Sequence, residues 1–463
     1  MSVLASRRIH FMGIGGAGMS ALAEVLLARG REVSGCDAKA GPVLDRLAEL
    51  GARVHVGHSA DHLDGAEVLV VSSAIAAANP EVAAARARGL AVVRRAELLG
   101  EILAGGHGVA IAGTHGKSTT TTMTGSVLEA AGFDPTILVG GRMRGREGNV
   151  RLGSGAWYVA EADEFDRSFL ALEPAHAVVT NVEADHLDTY GSYDEVRSAF
   201  GAFLARVKEG GVVARGIDDP GAASLDVPPG RRDVAFGLAE DALVRAEDVR
   251  MDGLGSRFAL VLGGEPAGEV ALAMPGLHNV KNALAAAAVG WGVGAGADAI
   301  RAGLGRTHGV ARRFEVLVDG TGLTVVDDYG HHPTEVEATL AGARAAFPGR
   351  RLVAVFQPHL YSRTRDFASG FGRALARADE AWVTGIYPAR EAPIPGVDAE
   401  LLVRAAKEAG GRASLLPALD DEADVETAAR EIEAALHPGD VVVTLGAGDV
   451  DRLARRLAEG RGA

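Results

Sequence analysis

The chain has 463 residues, a length that calls for two or three compact units, and three is the expectation. Its formal net charge of −14 excludes a long nucleic-acid groove, because such a surface needs clustered Lys and Arg to displace counterions. Cys36 is the only cysteine, which rules out an internal disulfide and any cysteine-based zinc cluster, and no apolar run approaches the roughly 20 residues needed to span a bilayer. The opening MSVLASRRIHF carries two arginines before a strand and has no apolar signal segment, so the expected setting is soluble and cytoplasmic, without nucleic acid or membrane as partner.

Residues 8–14, RIHFMGI, read as a short strand running into glycines, after which MSALAEVLLARG has helical apolar spacing and ends at Gly30. The same alternation continues through REVSGCD, GPVLDRLAELG, AEVLVVSSAI and PEVAAARARG, so residues 1–105 predict a small parallel sheet with helices. Gly13, Gly15, Gly16 and Gly18 satisfy G-x-G-x-x-G directly after the first strand, and Asp37 lies about 20 residues on, a pattern that by itself also fits NAD. A helix N-terminus holds any diphosphate equally well, and Ser72 and Ser73, after the strand VLVV, are placed to face the same ligand.

A second unit, residues 106–311, starts with the strand HGVAIAGT and the helical STTTTMTGSVLEAAG. Between them lie Gly113, Thr114, His115, Gly116, Lys117, Ser118 and Thr119. Such a turn aims backbone N–H groups at phosphate oxygens, the lysine adds a compact positive charge, and the Ser118 hydroxyl suits Mg2+. The strict pattern G-x-x-x-x-G-K-[ST] fails at one position, where the chain has Ile111. Glu161 closes the strand WYVAE and is expected beside the phosphate loop as a magnesium carboxylate. HAVVTNV delivers Asn181, Glu183, Asp185 and His186 from a second strand. After turn-rich short strands at 215–275, NVKNALAAAAVGWGV reads as a long helix. Asn279 and Asn282 share one of its faces, where amides either read an adenine edge or cap the helix.

The third unit, residues 312–463, opens with FEVLVD and LTVVDD as a hairpin, followed by the helical TEVEATLAGARAAF and the strands RLVAVFQP, EAWVTGI and DVVVTLGAG. Tyr329, His331 and His332 follow one of these strands, and His359 and Arg363 follow another.

GTHGKSTTT resembles the phosphate loop of the Mur ligase family and of folylpolyglutamate synthetases. In order along the chain, GIGGAGM, SSAIAAANPE, EADEFDRSF, NVEADHLDTY, GLHNVKNALAA, RRFE, DDYGHHPTE, FQPHLYSRT and GAGD are similar to segments of the Mur branch that joins an amino acid to UDP-N-acetylmuramate. The resemblance implies three α/β domains: a Rossmann-like N-terminal domain for the UDP-sugar, a central P-loop ATPase-like domain with a mostly parallel sheet, and a Rossmann-like C-terminal domain for the amino acid. It implies ATP and Mg2+ as cofactors, with UDP-N-acetylmuramate and L-alanine as substrates, in a monomer or weak homodimer. Lys117, Glu161, His186, His331 and Arg363 become catalytic, and Ser118, Glu161 and His186 metal ligands. The phosphate loop, Asn279, Asn282, Arg313 and Asp328 hold ATP. Gly13, Gly15, Gly16, Gly18, Met19, Asp37, Ser72, Ser73, Tyr329, His331 and Arg363 hold the substrates.

Two departures stand out. Many relatives have arginine where this chain has Leu360, and no lysine lies between Lys117 and Lys208 to serve as the carbamylated lysine that several relatives use. Reactants held on separate domains imply closure before chemistry. The alternatives are a ligase that recycles a whole tripeptide onto the same nucleotide, an NAD-dependent oxidoreductase resting on the first glycine loop, and a nucleotide-binding regulator without catalysis.

Overall fold

The computed structural model describes residues 3–72, 75–76, 78–389 and 391–459. Three sheets carry the chain. The first has five parallel strands in the order Arg53–Val56, Glu32–Asp37, Arg8–Met12, Val68–Val71, Ala91–Arg94. Its direction of winding reverses between Arg8–Met12 and Val68–Val71, and ligands of open α/β sheets bind at such switch points, off the carboxyl ends of the strands.

The second sheet has ten strands, with Glu265–Leu272, Gly255–Leu262, Val244–Asp252, Arg232–Gly237 and Val212–Gly216 on one side. His176–Val179, His107–Ala112, Trp157–Glu161, Thr136–Leu138 and Val150–Arg151 complete it. The pairs from Arg232–Gly237 through Thr136–Leu138 are parallel, and Val150–Arg151 closes that edge antiparallel. His107–Ala112 sits between His176–Val179 and Trp157–Glu161, so the carboxyl ends of three neighbouring strands meet around the loop that follows it. The third sheet runs Glu315–Asp319, Leu323–Asp328, Asp440–Leu445, Leu352–Phe356, Glu380–Val383, Ala413–Leu415, and only the first pair, the expected hairpin, is antiparallel.

The central strands of these sheets are covered on both faces, which is why they read as unbroken apolar runs. LVAVF at 352–356 and DVVVTL at 440–445 are buried at every position. Helices begin where the sequence supplies a start signal. Asp421 and Asp398 cap theirs through their side chains, and Pro occupies the first turn of Pro42–Glu49, Pro80–Ala87 and Pro333–Ala346.

Two compact units result. One comprises Met1–Asp248, Phe258–Ala271 and Lys281–Gly309, and the other Val249–Arg257, Leu272–Val280 and Val310–Ala463. The five-stranded sheet and most of the ten-stranded sheet lie in the first unit, and the six-stranded sheet lies in the second. Among the described residues, no helix is long and apolar enough to cross a membrane.

Candidate active site

The phosphate loop joins His107–Ala112 to the helix Lys117–Ala130. Ile111 is fully buried within the strand, and the sharp turn falls later, at Gly113 with φ +139°. The departure from the strict pattern therefore reflects where the turn begins. A Cβ on Gly113 would stand 1.9 Å from Thr180 Oγ1, and one on Gly116, at φ +82°, would stand 2.4 Å from Asn282 Oδ1. Only glycine fits either place.

The neighbouring strand end clamps this loop. Thr180 Oγ1 donates to the His115 carbonyl at 2.6 Å, His115 N–H donates to Asn181 Oδ1 at 2.8 Å, and Glu183 N–H donates to Thr114 Oγ1 at 2.9 Å. Sequence reasoning noted Asn181 without a role and passed over Thr180. Ser118, Thr119, Thr120, Thr121 and Thr122 are buried, so the threonine run lies inside the fold behind the loop.

Lys117 Nζ donates to the carbonyls of Gly113 and Thr114, and to both oxygens of Glu164 at 2.9 and 2.7 Å. Burial opposes the ammonium charge, but the carboxylates of Glu164, Asp163 and Glu161 outweigh it and hold the Lys117 pKa above its ordinary range. Glu164 was not among the expected site residues. Its carboxylate is buried, and the Tyr190 hydroxyl donates to its backbone carbonyl at 2.6 Å, which holds the main chain there. Burial and the Glu164 charge push that phenol up to about 12.

Glu161 ends its strand beside the loop, as its position predicts, and accepts from the Gly140 N–H. His186 takes a left-handed conformation, φ +52°, at the start of the short helix Leu187–Tyr190. Its Nε2 lies 3.9 Å from Glu164 and 3.7 Å from Asp185. Hydroxyl, carboxylate and imidazole donors thus stand on Ser118, Glu161 and His186 at the ends of adjoining elements.

In the first sheet, Gly13 turns the chain at φ +77°, and Gly13 and Ile14 both donate to the Cys36 carbonyl. Gly15 N–H donates to Asp37 Oδ2 at 2.9 Å, so Asp37 holds the glycine loop in shape. Met19 is buried in the following helix, and Gly18 packs against Arg95. Ser73 lies outside the described residues. Gly16, Gly18, Ser72, Arg95 and Glu161 help to line a cavity of about 260 Å3, which links the glycine loop to the end of the Glu161 strand. A larger one, about 560 Å3, adjoins Ser72 and presents Arg86, Arg94, Arg95 and Arg167. These arginines escaped sequence reasoning because segments such as ARAR, RR and DR are common on solvated faces.

Asn282 backs Gly116 and accepts from Thr120 Oγ1 at 3.3 Å, while Asn279 is buried and donates to the Pro275 carbonyl at 2.8 Å. Spacing put the two amides on one face, either to read an adenine edge or to cap the helix. The contacts give Asn282 to the phosphate loop and Asn279 to its own helix start.

In the second unit, Asp328 accepts from Phe314 N–H at 2.7 Å and Gly330 N–H at 2.8 Å. Burial pushes its carboxyl up to about 6, against the pull of Arg313 and these two N–H groups. Arg313 lies over the Tyr329 ring at 5.1 Å and 3.6 Å from Glu335. Tyr329, His331 and His359 form a chain of ring contacts at 5.5 and 5.6 Å, and buried Arg363 meets His359 Nδ1 at 3.2 Å. The structure therefore gathers Tyr329, His331, His359 and Arg363 at one end of the six-stranded sheet. Leu360, beside them, carries φ +68°, a conformation that a side chain of this kind rarely adopts.

Comparison with known proteins agrees with this layout. Residues 8–107 match the family model described as Mur ligase family, catalytic domain, residues 157–290 match Mur ligase middle domain, and residues 312–448 match Mur ligase, glutamate ligase domain. The chain is 45% identical over 461 residues to the UDP-N-acetylmuramate–L-alanine ligase of Xanthomonas campestris pv. campestris strain B100, covering 98% of this chain and 96% of that protein. The crystal structure of UDP-N-acetylmuramate-alanine ligase MurC from Thermotoga maritima superimposes with a TM-score of 0.80 at 30% identity, covering 98% of each chain. A murein peptide ligase from Psychrobacter arcticus does so with a TM-score of 0.69 at 25% identity, again over 98% of each chain. With a glycine-loop sheet, a phosphate loop and an acidic strand end in this order, and relatives matching over nearly its whole length, the chain belongs to the Mur ligase family.

Proposed function

We propose that the chain joins L-alanine to the lactyl carboxylate of UDP-N-acetylmuramate at the expense of ATP. The products are UDP-N-acetylmuramoyl-L-alanine, ADP and phosphate, in peptidoglycan precursor synthesis. The observation that carries this reading is the phosphate loop with Lys117 and Glu161 converging on it, in a chain 45% identical throughout to a ligase of that name.

The reading divides the work among residues 1–105 for the UDP-sugar, 106–311 for ATP and 312–463 for alanine. The lactyl carboxylate oxygen attacks the γ-phosphorus of ATP, the bond to the β-phosphate oxygen breaks, and ADP leaves. The neutral alanine amine then attacks the acyl carbon, its nitrogen gives up a proton to solvent, and phosphate departs with the electrons of the C–O bond.

Lys117 and the N–H groups of residues 116–118 stabilise charge on the transferring phosphoryl group, a task of positioning and electrostatics. The hydroxyl of Ser118 and the carboxylate of Glu161 are oxygen donors of the kind Mg2+ favours, and the imidazole of His186, a weaker magnesium ligand, completes the set in this reading; the ion would neutralise phosphate charge. His331 and Arg363 orient the amino acid, with Tyr329 against it. Asn279, Asn282, Arg313 and Asp328 complete the nucleotide site of this reading.

A coupled ADP-release assay on the purified chain tests it. ADP formation should require both UDP-N-acetylmuramate and L-alanine. Glycine and L-serine should follow within about 1–3 kcal/mol in transition-state terms, because small side chains differ little in an apolar pocket. Preference for a whole tripeptide over L-alanine would overturn the reading in favour of peptide recycling.

A further inference from the structure

The first sheet holds a second cluster of reactive side chains that the ligase chemistry does not use. His10 comes from the strand Arg8–Met12, Cys36 from Glu32–Asp37, His62 from the 3-10 turn Ala60–Leu63, and Glu81 from the first turn of Pro80–Ala87. Each brings one donor atom to a common centre, and the four atoms lie within 4.8 Å of one another.

The separations have the scale of a coordination polyhedron. His10 Nε2 is 3.0 Å from Glu81 Oε1, His62 Nδ1 is 3.7 Å from the same oxygen, and Cys36 Sγ is 3.3 Å from Glu81 Oε2. A tetrahedral ion with arms of about 2.0–2.3 Å places its ligands about 3.3–3.8 Å apart.

A second observation points the same way. His10 and Glu81 are completely buried, yet among the described residues His10 Nε2, Glu81 Oε1 and His62 Nδ1 make no hydrogen bond of ordinary geometry and meet only one another, at the distances given above. His10 Nδ1 is engaged by Ser34 Oγ at 2.8 Å, an outer contact of the kind that orients a ligating imidazole and leaves its other nitrogen for the ion. His58 Nδ1, 3.2 Å from Cys36 Sγ, belongs to a part-exposed ring on the outer side of the cluster.

We propose that His10, Cys36, His62 and Glu81 form a binding site for a borderline-soft divalent metal ion of the zinc or cobalt(II) class. One cysteine cannot build a thiolate cluster, but here it is one donor of four. Sulfur and imidazole donors select such an ion over magnesium, which favours oxygen ligands in octahedral array. The ion pins the strand end whose Cys36 carbonyl anchors the N–H groups of Gly13 and Ile14, and so stiffens the first glycine loop from behind.

Cobalt(II) titrated into chelator-treated full-length protein tests the site. The expected result is uptake of one equivalent with intense visible bands of tetrahedral cobalt, a thiolate-to-cobalt band in the near ultraviolet, and displacement of both by zinc. Cys36→Ser should lose the ultraviolet band and His62→Gln the tetrahedral spectrum, whereas His186→Ala, at the phosphate loop, should retain both. Stoichiometric zinc should raise the unfolding temperature of the unaltered chain and not of His62→Gln. If Cys36→Ser fails to fold, the part-exposed His62 variant still decides the matter. Absence of stoichiometric uptake, or spectra unchanged in the Cys36 and His62 variants, overturns the proposal.

Discussion

Gly116→Ala together with Asn282→Ala tests whether the wall of the phosphate loop is built as described. A Cβ at Gly116 meets two obstacles, a left-handed backbone at φ +82° and the Asn282 side-chain oxygen at 2.4 Å. The backbone contributes about 1–2 kcal/mol of destabilisation and the overpacking about 1–3 kcal/mol, so the single variant should lose about 2–5 kcal/mol. Asn282→Ala alone gives up its contact with Thr120, worth about 1 kcal/mol. In the double variant the steric part vanishes and the backbone part stays, so the two changes should couple favourably by about 1–3 kcal/mol. Urea unfolding followed by far-ultraviolet circular dichroism reads this directly, provided the slopes agree. The ATP and GTP dependence of ADP release supplies a second readout. If Asn282 is a wall, its loss raises KM for both nucleotides alike, and if it reads adenine, it narrows the gap between them. Strict additivity of the two substitutions would falsify the steric argument.

Lys117→Ala is expected to abolish ADP release while UDP-N-acetylmuramate still binds by calorimetry, and loss of both together would count against separate sites. Glu164→Gln strips the buried carboxylate from Lys117 and should cost about 3–5 kcal/mol of stability, seen as a lower urea midpoint; an unchanged midpoint would mean that the pair is solvated. Burial, reinforced by His107, lowers His176 from 6.5 to about 4, and its Nδ1 accepts the Val212 N–H at 3.1 Å. The native ring is then neutral while the unfolded chain takes up a proton below 6.5, so this contribution is complete above pH 6.5 and is lost as pH falls toward 4. It amounts to up to about 3 kcal/mol. His176→Asn should flatten the acid side of the stability profile between those limits, and identical slopes in the two proteins would refute the assignment.

Features whose cause is local were legible in the sequence. The turn at Gly113 to Gly116, the helix after it, the hairpin at 315–328 and the glycine loop at 13–18 each follow from a few consecutive residues whose geometry allows little else. Glu161 was legible too, because a strand end beside a phosphate loop is a position that local pattern can locate. The overlooked residues and contacts depend on partners far along the chain. Glu164 meets Lys117 across 47 positions, Asn282 meets Thr120 across 162, and Thr180 reaches His115 across 65. Asn279 and Asn282 were joined by helical spacing, which fixes the face a side chain leaves from and not the neighbour it finds. The His10, Cys36, His62, Glu81 cluster had no motif to betray it, since its four donors come from four separate elements.

The Lys117 contacts bear on how nucleotide enters. The ammonium is already paired, through Glu164 and two carbonyls, and a phosphate drawn to this loop must replace a carboxylate and does not meet a bare cation. Exchanging one anion for another keeps the ammonium compensated throughout, which avoids the several kcal/mol that an unpaired ammonium costs in such a place. The same exchange frees the Glu164 carboxylate, and His186 Nε2 stands 3.9 Å from it with Asp185 3.7 Å beyond. Glu161, Asp163, Glu164 and Asp185 thus form an acidic rim that phosphate alone would repel. On electrostatic grounds the loop accepts a triphosphate only together with added positive charge, so nucleotide binding to this chain should weaken steeply when divalent cations are chelated, and more steeply in the unaltered protein than in Glu164→Gln.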